Sequence, residues 1–258
     1  MHGIRALLLD FGATLDGTSH WLDRFVEHYR HCGLELRRNE LDRAFTFATA
    51  EGYRRTAEMR RVGYRDLIAT LASIQLNYLA ERGAAPLRAA LASLDARELT
   101  RLARAVADDF AAKSSRALTE SREILARVAD RTRLGVVSNF YGNLEVVLAE
   151  AGILPLVGAA VDSSAVGFFK PDPRIFALAV KRLEVEPQEA VMVGDSWEKD
   201  CLAALRAGLH ALWLHPNGNP SRLGAEVGSQ MAGNVADDPP GVKVETIKAL
   251  SELELVIQ

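Results

Sequence analysis

Apolar residues follow two rhythms along this chain. Four short continuous runs, Ile4 to Leu9, Leu134 to Val137, Ala190 to Val193 and Ala211 to Leu214, are bounded by turn residues. Unbroken runs of this length suit strands covered on both faces, as in a parallel sheet. Between the later runs lie helical patterns, Leu144 to Ala151, Pro173 to Leu183 and Trp197 to Ala207, each about the length of a crossover helix. Alternating strand and helix predicts an α/β fold with a doubly wound parallel sheet and right-handed crossovers. A ligand is then expected beyond the carboxyl ends of the strands.

From about Thr18 to Ser115 the rhythm changes to Ala, Leu, Arg and Glu at helical spacing, almost without strand-like runs. This predicts an all-helical insertion, with helices over Trp21 to His31, Asn39 to Met59, Tyr64 to Ala80 and Glu98 to Lys113, broken at Gly33, Gly63 and Gly83 to Pro86. Placed directly after the first strand, the insertion sits where a lid over the strand ends would sit. The expected division is a core of residues 1–16 and 116–258 and a helical cap of residues 17–115. The Gly-, Pro-, Asn- and Asp-rich stretch Asn217 to Val242 predicts loops.

With 258 residues, 48% of them hydrophobic, the chain has material for one or two globular cores. A formal net charge of −3, without basic clustering, gives no reason to expect nucleic acid or an anionic membrane as partner. The two cysteines, Cys32 and Cys201, stand far apart in helical patterns and offer neither a disulfide framework nor a zinc pattern. A reducing, cytoplasmic location is the expectation. The apolar run near the amino terminus is too short for a signal peptide or a membrane span.

The strand ends carry polar residues of useful types. Asp10 and Thr14 lie in LLLDFGATLDG, Ser138 and Asn139 in LGVVSNF, Lys170 in VGFFKPDPRIF, and Asp195 and Asp200 in VMVGDSWEKD. Singly, each has an ordinary structural role as a cap, a turn former or a surface charge. Together, neighbouring parallel strands would gather carboxylates, a lysine and a hydroxyl in one cleft. Adjacent carboxylates stay ionised only with a cation between them, and hard oxygen ligands suit Mg²⁺. Such a site suits a phosphoryl group, whose transfer depends on positioning and on neutralising negative charge. A carboxylate nucleophile would form an acyl-phosphate for water to hydrolyse.

In their order and spacing these four motifs resemble those of the haloacid-dehalogenase-like hydrolases. The resemblance covers about Met1 to Asp16 and Arg116 onward, and it implies a Rossmann-like core with a helical cap between the first two motifs. It implies Asp10 as nucleophile and Mg²⁺ ligand, the Gly12 carbonyl as a further ligand and Asp195 as a metal-binding carboxylate. Ser138, with Thr14 and Asn139, would contact the phosphoryl group. Lys170 would hold Asp10 and the phosphoryl oxygens, and Asp200, with Ser196, would support the metal shell or orient Lys170. The implied partner is a small phosphorylated molecule.

The pattern departs from the family's phosphatases at one place. They carry Asp two residues after the nucleophile, as general acid and base, and here that residue is Gly12. Losing such a group costs about 10²- to 10⁴-fold in rate. Asp16, His20, His28 and His31 are the candidates to replace it, though each also suits a turn or a packed helix. Haloacid dehalogenases lack the metal and the acid that Asp195 supplies, so Asp195 argues against dehalogenation. A phosphonate-cleaving enzyme would need a cap lysine, and the insertion has only Lys113. A non-catalytic phosphometabolite-binding or interaction module is the remaining alternative. Arg54, Arg55, Arg60 and Arg61 read first as a solvated helix face and second as a site for another anionic group. Trp197 reads equally as cleft wall and as core.

Overall fold

The computed structural model of the protein describes residues 3–215 and 242–256. The expected loops over Asn217 to Val242 therefore lie outside the described residues, save Val242 itself.

Six strands form one parallel sheet: β1 (Ala6–Leu9), β2 (Arg133–Ser138), β3 (Ala159–Asp162), β4 (Ala190–Gly194), β5 (His210–Leu214) and β6 (Val244–Ile247). Their order is β3-β2-β1-β4-β5-β6. The four apolar runs are the four inner strands, and β1, β4 and β5 are buried at every position. Both faces of such strands lie under other elements, which is why the sequence shows unbroken apolar runs rather than alternation. The two edge strands carried no such signal. β3 is a four-residue Ala-Ala-Val-Asp, and β6 opens with exposed Val244 and Glu245.

The chain runs outward from β1 through β2 to β3, then returns to the other side of β1 to begin β4. β1 is thus the point where strand order reverses. Leu9 pairs with Val136 on one side and Val193 on the other. The residues that follow, Asp10, Ser138 and Asp195, consequently emerge side by side at the crevice where open α/β sheets bind ligands.

Between β1 and β2 the chain is helical: α1 (Trp21–His31), α2 (Arg38–Arg54), α3 (Thr56–Met59), α4 (Tyr64–Arg82), α5 (Ala85–Ala92) and α6 (Ala96–Val128). The expected boundary at residues 115/116 falls inside α6. Neither Gly nor Pro interrupts this segment, and its buried residues from Ala103 through Phe110 and Leu118 to Val128 recur every three or four positions. Asp95 starts it by accepting from the backbone N–H groups of Arg97 and Glu98, at 2.7 and 2.8 Å. Ser121, on the buried stripe, donates to the Leu15 carbonyl at 2.8 Å and fastens α6 to the loop after β1.

The remaining α-helices among the described residues are α7 (Leu144–Glu150), α8 (Ser163–Val166), α9 (Pro173–Arg182), α10 (Ala203–Arg206) and α11 (Leu253–Val256). The expected helix from Trp197 to Ala207 divides into a π-helical turn, Trp197–Leu202, and α10. Such turns occur often at functional sites. No described helix is long and apolar enough to cross a membrane.

Candidate active site

Asp10 leaves β1 with its backbone N–H still donating to the Val193 carbonyl at 2.9 Å, so its position is fixed by the sheet. The chain then folds over Phe11, whose carbonyl accepts from Leu15 and Asp16. Ala13 adopts φ of +56°, sparsely populated for a residue with a Cβ. Its N–H donates to Asp16 Oδ1 at 2.9 Å, a contact that holds the tight turn.

Lys170 is buried, and its Nζ lies 2.8 Å from Asp10 Oδ1 and 2.5 Å from Asp200 Oδ1. Asn139 sets the lysine backbone by a two-point clamp: Lys170 N–H donates to Oδ1 at 2.7 Å, and Nδ2 donates to the Lys170 carbonyl at 2.9 Å. Asp200 comes from the π-helical turn, and its Oδ2 accepts from Ser196 N–H at 3.0 Å. It packs directly on Gly194, where an added Cβ would meet Asp200 Oδ2 at 2.3 Å. Only glycine permits that approach.

Oxygens of Asp10, Asp195 and Asp200 lie within 4.8 Å of one another. Burial alone would lower the Lys170 ammonium, yet the charges of Asp10 and Asp200 outweigh it and hold the group well above its ordinary value. Burial pushes the Asp195 carboxyl up to about 7, helped by the charges of Asp10 and Asp200. Burial likewise raises Asp200 to about 6, against the pull of Lys170. Three carboxylates outnumber the one ammonium, and Asp195, which Lys170 does not bond, is the one whose ionised form is most disfavoured.

These groups form the floor of a cleft of about 270 Å³. Gly12, Ala13, Ser138, Asn139 and Ser196 complete the polar part, while Trp21, Phe45, Tyr53, Phe140 and Tyr141 make an aromatic wall, with His20, Thr49 and Lys199 beside it. All the site residues expected from sequence line this cleft except Thr14. The turn that presents Ala13 to the cleft sends Thr14 beneath the loop, where it is 2% exposed and its hydroxyl has no protein partner. Thr14 borders a separate depression with Ser121 and Leu250. Asn139 lines the cleft, with its side-chain amide engaged on the Lys170 backbone.

Asp16 does not replace the missing acid. Its side chain is wholly buried, and Oδ2 accepts from Trp21 Nε1 (2.8 Å), Arg24 Nη1 (2.8 Å) and Tyr64 OH (2.5 Å). These contacts tie the loop after β1 to α1 and α4, and Arg24 and Tyr64 continue to Ser114 of α6. His28 and His31 instead hold Asp109, at 2.5 and 2.7 Å between Nδ1 and Oδ2. Neither lines the cleft. The insertion's arginines do not enter it either: Arg54 and Arg55 pair with Glu51. Trp197 packs against Trp213, with ring centroids 5.3 Å apart.

The aromatic wall was not read from sequence. Trp21, Phe45 and Tyr53 carry an ordinary amphipathic signal on α1 and α2, and only the fold turns them toward Asp10. Tyr53 stacks on Tyr141 at 5.0 Å and its hydroxyl lies 3.4 Å from the Asn139 carbonyl, joining the helical layer to the loop after β2.

The model of the haloacid dehalogenase-like hydrolases matches residues 4–208. Haloacid dehalogenase-like hydrolase domain-containing protein 3 of Bos taurus is 34% identical over 119 residues, which cover 45% of this chain and 47% of that protein. A phosphoserine phosphatase of Thermus thermophilus is 42% identical over 67 residues, 26% of this chain and 27% of the other. The chain thus matches less than half the length of these curated relatives. Among solved structures, a 2-haloacid dehalogenase from Pseudomonas syringae superposes with TM-score 0.53 at 20% identity over 98% of both chains, a likeness of fold. With motifs, sheet order and family match agreeing over most of its length, the chain belongs to the haloacid dehalogenase-like hydrolases.

Proposed function

We propose that the protein hydrolyses a small organic phosphate monoester through a phosphoryl-Asp10 intermediate, with Mg²⁺ as cofactor. The observation that carries this is Lys170 bridging Asp10 and Asp200 beside a third carboxylate, Asp195, at the strand-order reversal. The donor set fits a small divalent cation. It offers carboxylate oxygens within 4.8 Å of one another, with Gly12, whose carbonyl the family resemblance makes a ligand, also in the cleft lining. Asp10 Oδ1 is buried and, apart from its ionic contact with Lys170, meets no hydrogen-bond donor. Mg²⁺ held by Asp10, Asp195 and the Gly12 carbonyl would supply charge neutralisation at the phosphoryl oxygens.

A carboxylate oxygen of Asp10 attacks phosphorus in line, and the bond to the leaving oxygen breaks as the phosphoryl group transfers. Lys170 offsets the charge spread over the equatorial oxygens, and the Ser138 hydroxyl donates to one of them. Water then attacks phosphorus, its proton passing to a phosphate oxygen or to solvent as the new oxygen–phosphorus bond forms, and the bond to Asp10 breaks to return the carboxylate. Asp200 keeps Lys170 aimed throughout.

Mg²⁺-dependent release of 4-nitrophenol from 4-nitrophenyl phosphate, measured against an Asp10→Asn control, tests the assignment. Turnover well above the control is expected. None above it, with that ester and with a panel of metabolite phosphates, would favour a non-catalytic phosphate-binding module.

A further inference from the structure

The general acid that family phosphatases place two residues after the nucleophile is absent, and the cleft offers no carboxyl in its place. An added Cβ at Gly12 would stand 3.4 Å from Trp21 Nε1, an ordinary van der Waals contact, so the position has room for a side chain that glycine leaves out. That indole is fixed by donating to Asp16 at 2.8 Å. Asp16 is itself saturated by three further donors. Apart from Asp10, Asp195 and Asp200, no described residue lining the cleft bears a carboxyl group.

His20, beside the mouth, does not fill the gap. Its Nδ1 accepts from Leu22 N–H at 3.2 Å as the cap of α1, so the neutral ring carries its proton on Nε2. A second proton, which an acid would need, would have to go on the capping nitrogen, and burial further lowers the ring's affinity for it. The phenols of Tyr53 and Tyr141 are raised by burial and are weaker acids than usual.

The chemistry of the walls points the same way. Five aromatic side chains, Trp21, Phe45, Tyr53, Phe140 and Tyr141, face the space above Asp10. No arginine reaches it, no carboxylate outside the floor is present to receive an ammonium group, and Lys199 stands beside the wall as the one described cation in the lining besides Lys170. Flat apolar surface of this extent favours a flat ring in the partner.

Taking the phosphatase assignment as its basis, we infer that the substrate is an aryl or heteroaryl phosphate, whose leaving oxygen departs as a stable anion without being protonated by the enzyme. The Asp10 carboxylate oxygen bonds to phosphorus while the phosphorus–oxygen bond to the ring breaks. That electron pair stays on the aryloxide, which takes its proton later from solvent. In a loose transition state nearly a full charge develops on this oxygen, so an unassisted reaction depends steeply on leaving-group acidity.

The experiment is a comparison of kcat/KM with Mg²⁺ across 4-nitrophenyl phosphate, phenyl phosphate, ethyl phosphate and O-phosphoserine, in the native chain and in Gly12→Asp. The native chain is expected to prefer the aryl esters by at least about 10²-fold, the lower range of a general acid's contribution. In Gly12→Asp the gap should narrow, with the alkyl esters gaining most. Equal values for aryl and alkyl esters in the native chain would overturn the substrate class while leaving the phosphatase assignment intact. A gap unchanged or widened in a folded Gly12→Asp would overturn the link to the missing acid. No turnover of any ester would instead remove the phosphatase assignment itself, and the substrate class with it.

Discussion

Gly194→Ala isolates the contact that aims Lys170. The added methyl would stand 2.3 Å from Asp200 Oδ2, 2.4 Å from its Cγ and 2.6 Å from its Cβ. Ordinary contact needs about 3.5 Å, so the carboxylate must retreat by about 1 Å. It has little room, since Asp200 is fully buried and held by Lys170 at 2.5 Å and by Ser196 N–H at 3.0 Å. Overpacking of this kind costs about 1–3 kcal/mol of stability. A displacement near 1 Å of a group that positions the catalytic lysine costs about 10²-fold in rate. The assay is kcat/KM on 4-nitrophenyl phosphate together with thermal unfolding, for Gly194→Ala, Asp200→Ala and both combined. Because the clash is with the Asp200 side chain, the two changes should couple, and the double variant should be no less stable than Asp200→Ala alone. Native rate and stability in Gly194→Ala, or simple additivity in the pair, would refute the close packing as the reason for glycine.

Asp10→Asn should abolish turnover while the protein unfolds at close to the native temperature; retained activity would remove Asp10 as nucleophile. Removing Asp16 by Asp16→Ala breaks a buried ion pair with Arg24 and should cost about 3–5 kcal/mol, measured by denaturant unfolding, whereas an unchanged midpoint would show that this hub is not structural. Asp195 and Asp200 are raised to about 7 and about 6, so without metal the folded state binds more protons than the unfolded one between about pH 4 and 7. Metal-free stability should therefore fall as pH rises through that window. Stabilisation by Mg²⁺ should grow over the same range, and thermal melts across pH with and without the ion check both signs.

Much of the fold was visible because its inner strands are buried on both faces, which forces unbroken apolar runs such as Ala6–Leu9 and Ala190–Gly194. β6 lay hidden because an edge strand can expose Val244 and Glu245. The 33-residue α6 runs on past Lys113, where the sequence predicts its end, through Ser114 and Ser115. Ser114 is in fact buried, donating to the Phe110 carbonyl at 2.8 Å, and the helix continues. At the site, Asp10 and Asp195 follow β1 and β4 directly, whereas Lys170 reaches the crevice from the loop beyond α8 and Asp200 from the π-helical turn, so among the charged residues the expected strand-end placement holds for the first two alone. Thr14 could not be placed that way, since one residue of phase in the turn separates the cleft from the underside of the loop. The aromatic wall depends on how α1 and α2 lie over the sheet, which apolar spacing within a helix does not specify. Likewise, the role of Asp16 became clear only when α1, α4 and α6 met around it.

Acid-quenched pre-steady-state mixing of the protein and Mg²⁺ with a phosphate ester carrying labelled phosphorus, followed by peptide mapping, tests the covalent chemistry most directly. Label should reach the protein on the turnover timescale, reside on the peptide containing Asp10, and be released by hydroxylamine as an acyl-phosphate is. Turnover with no protein-bound label, or with label on a peptide lacking Asp10, would contradict the account.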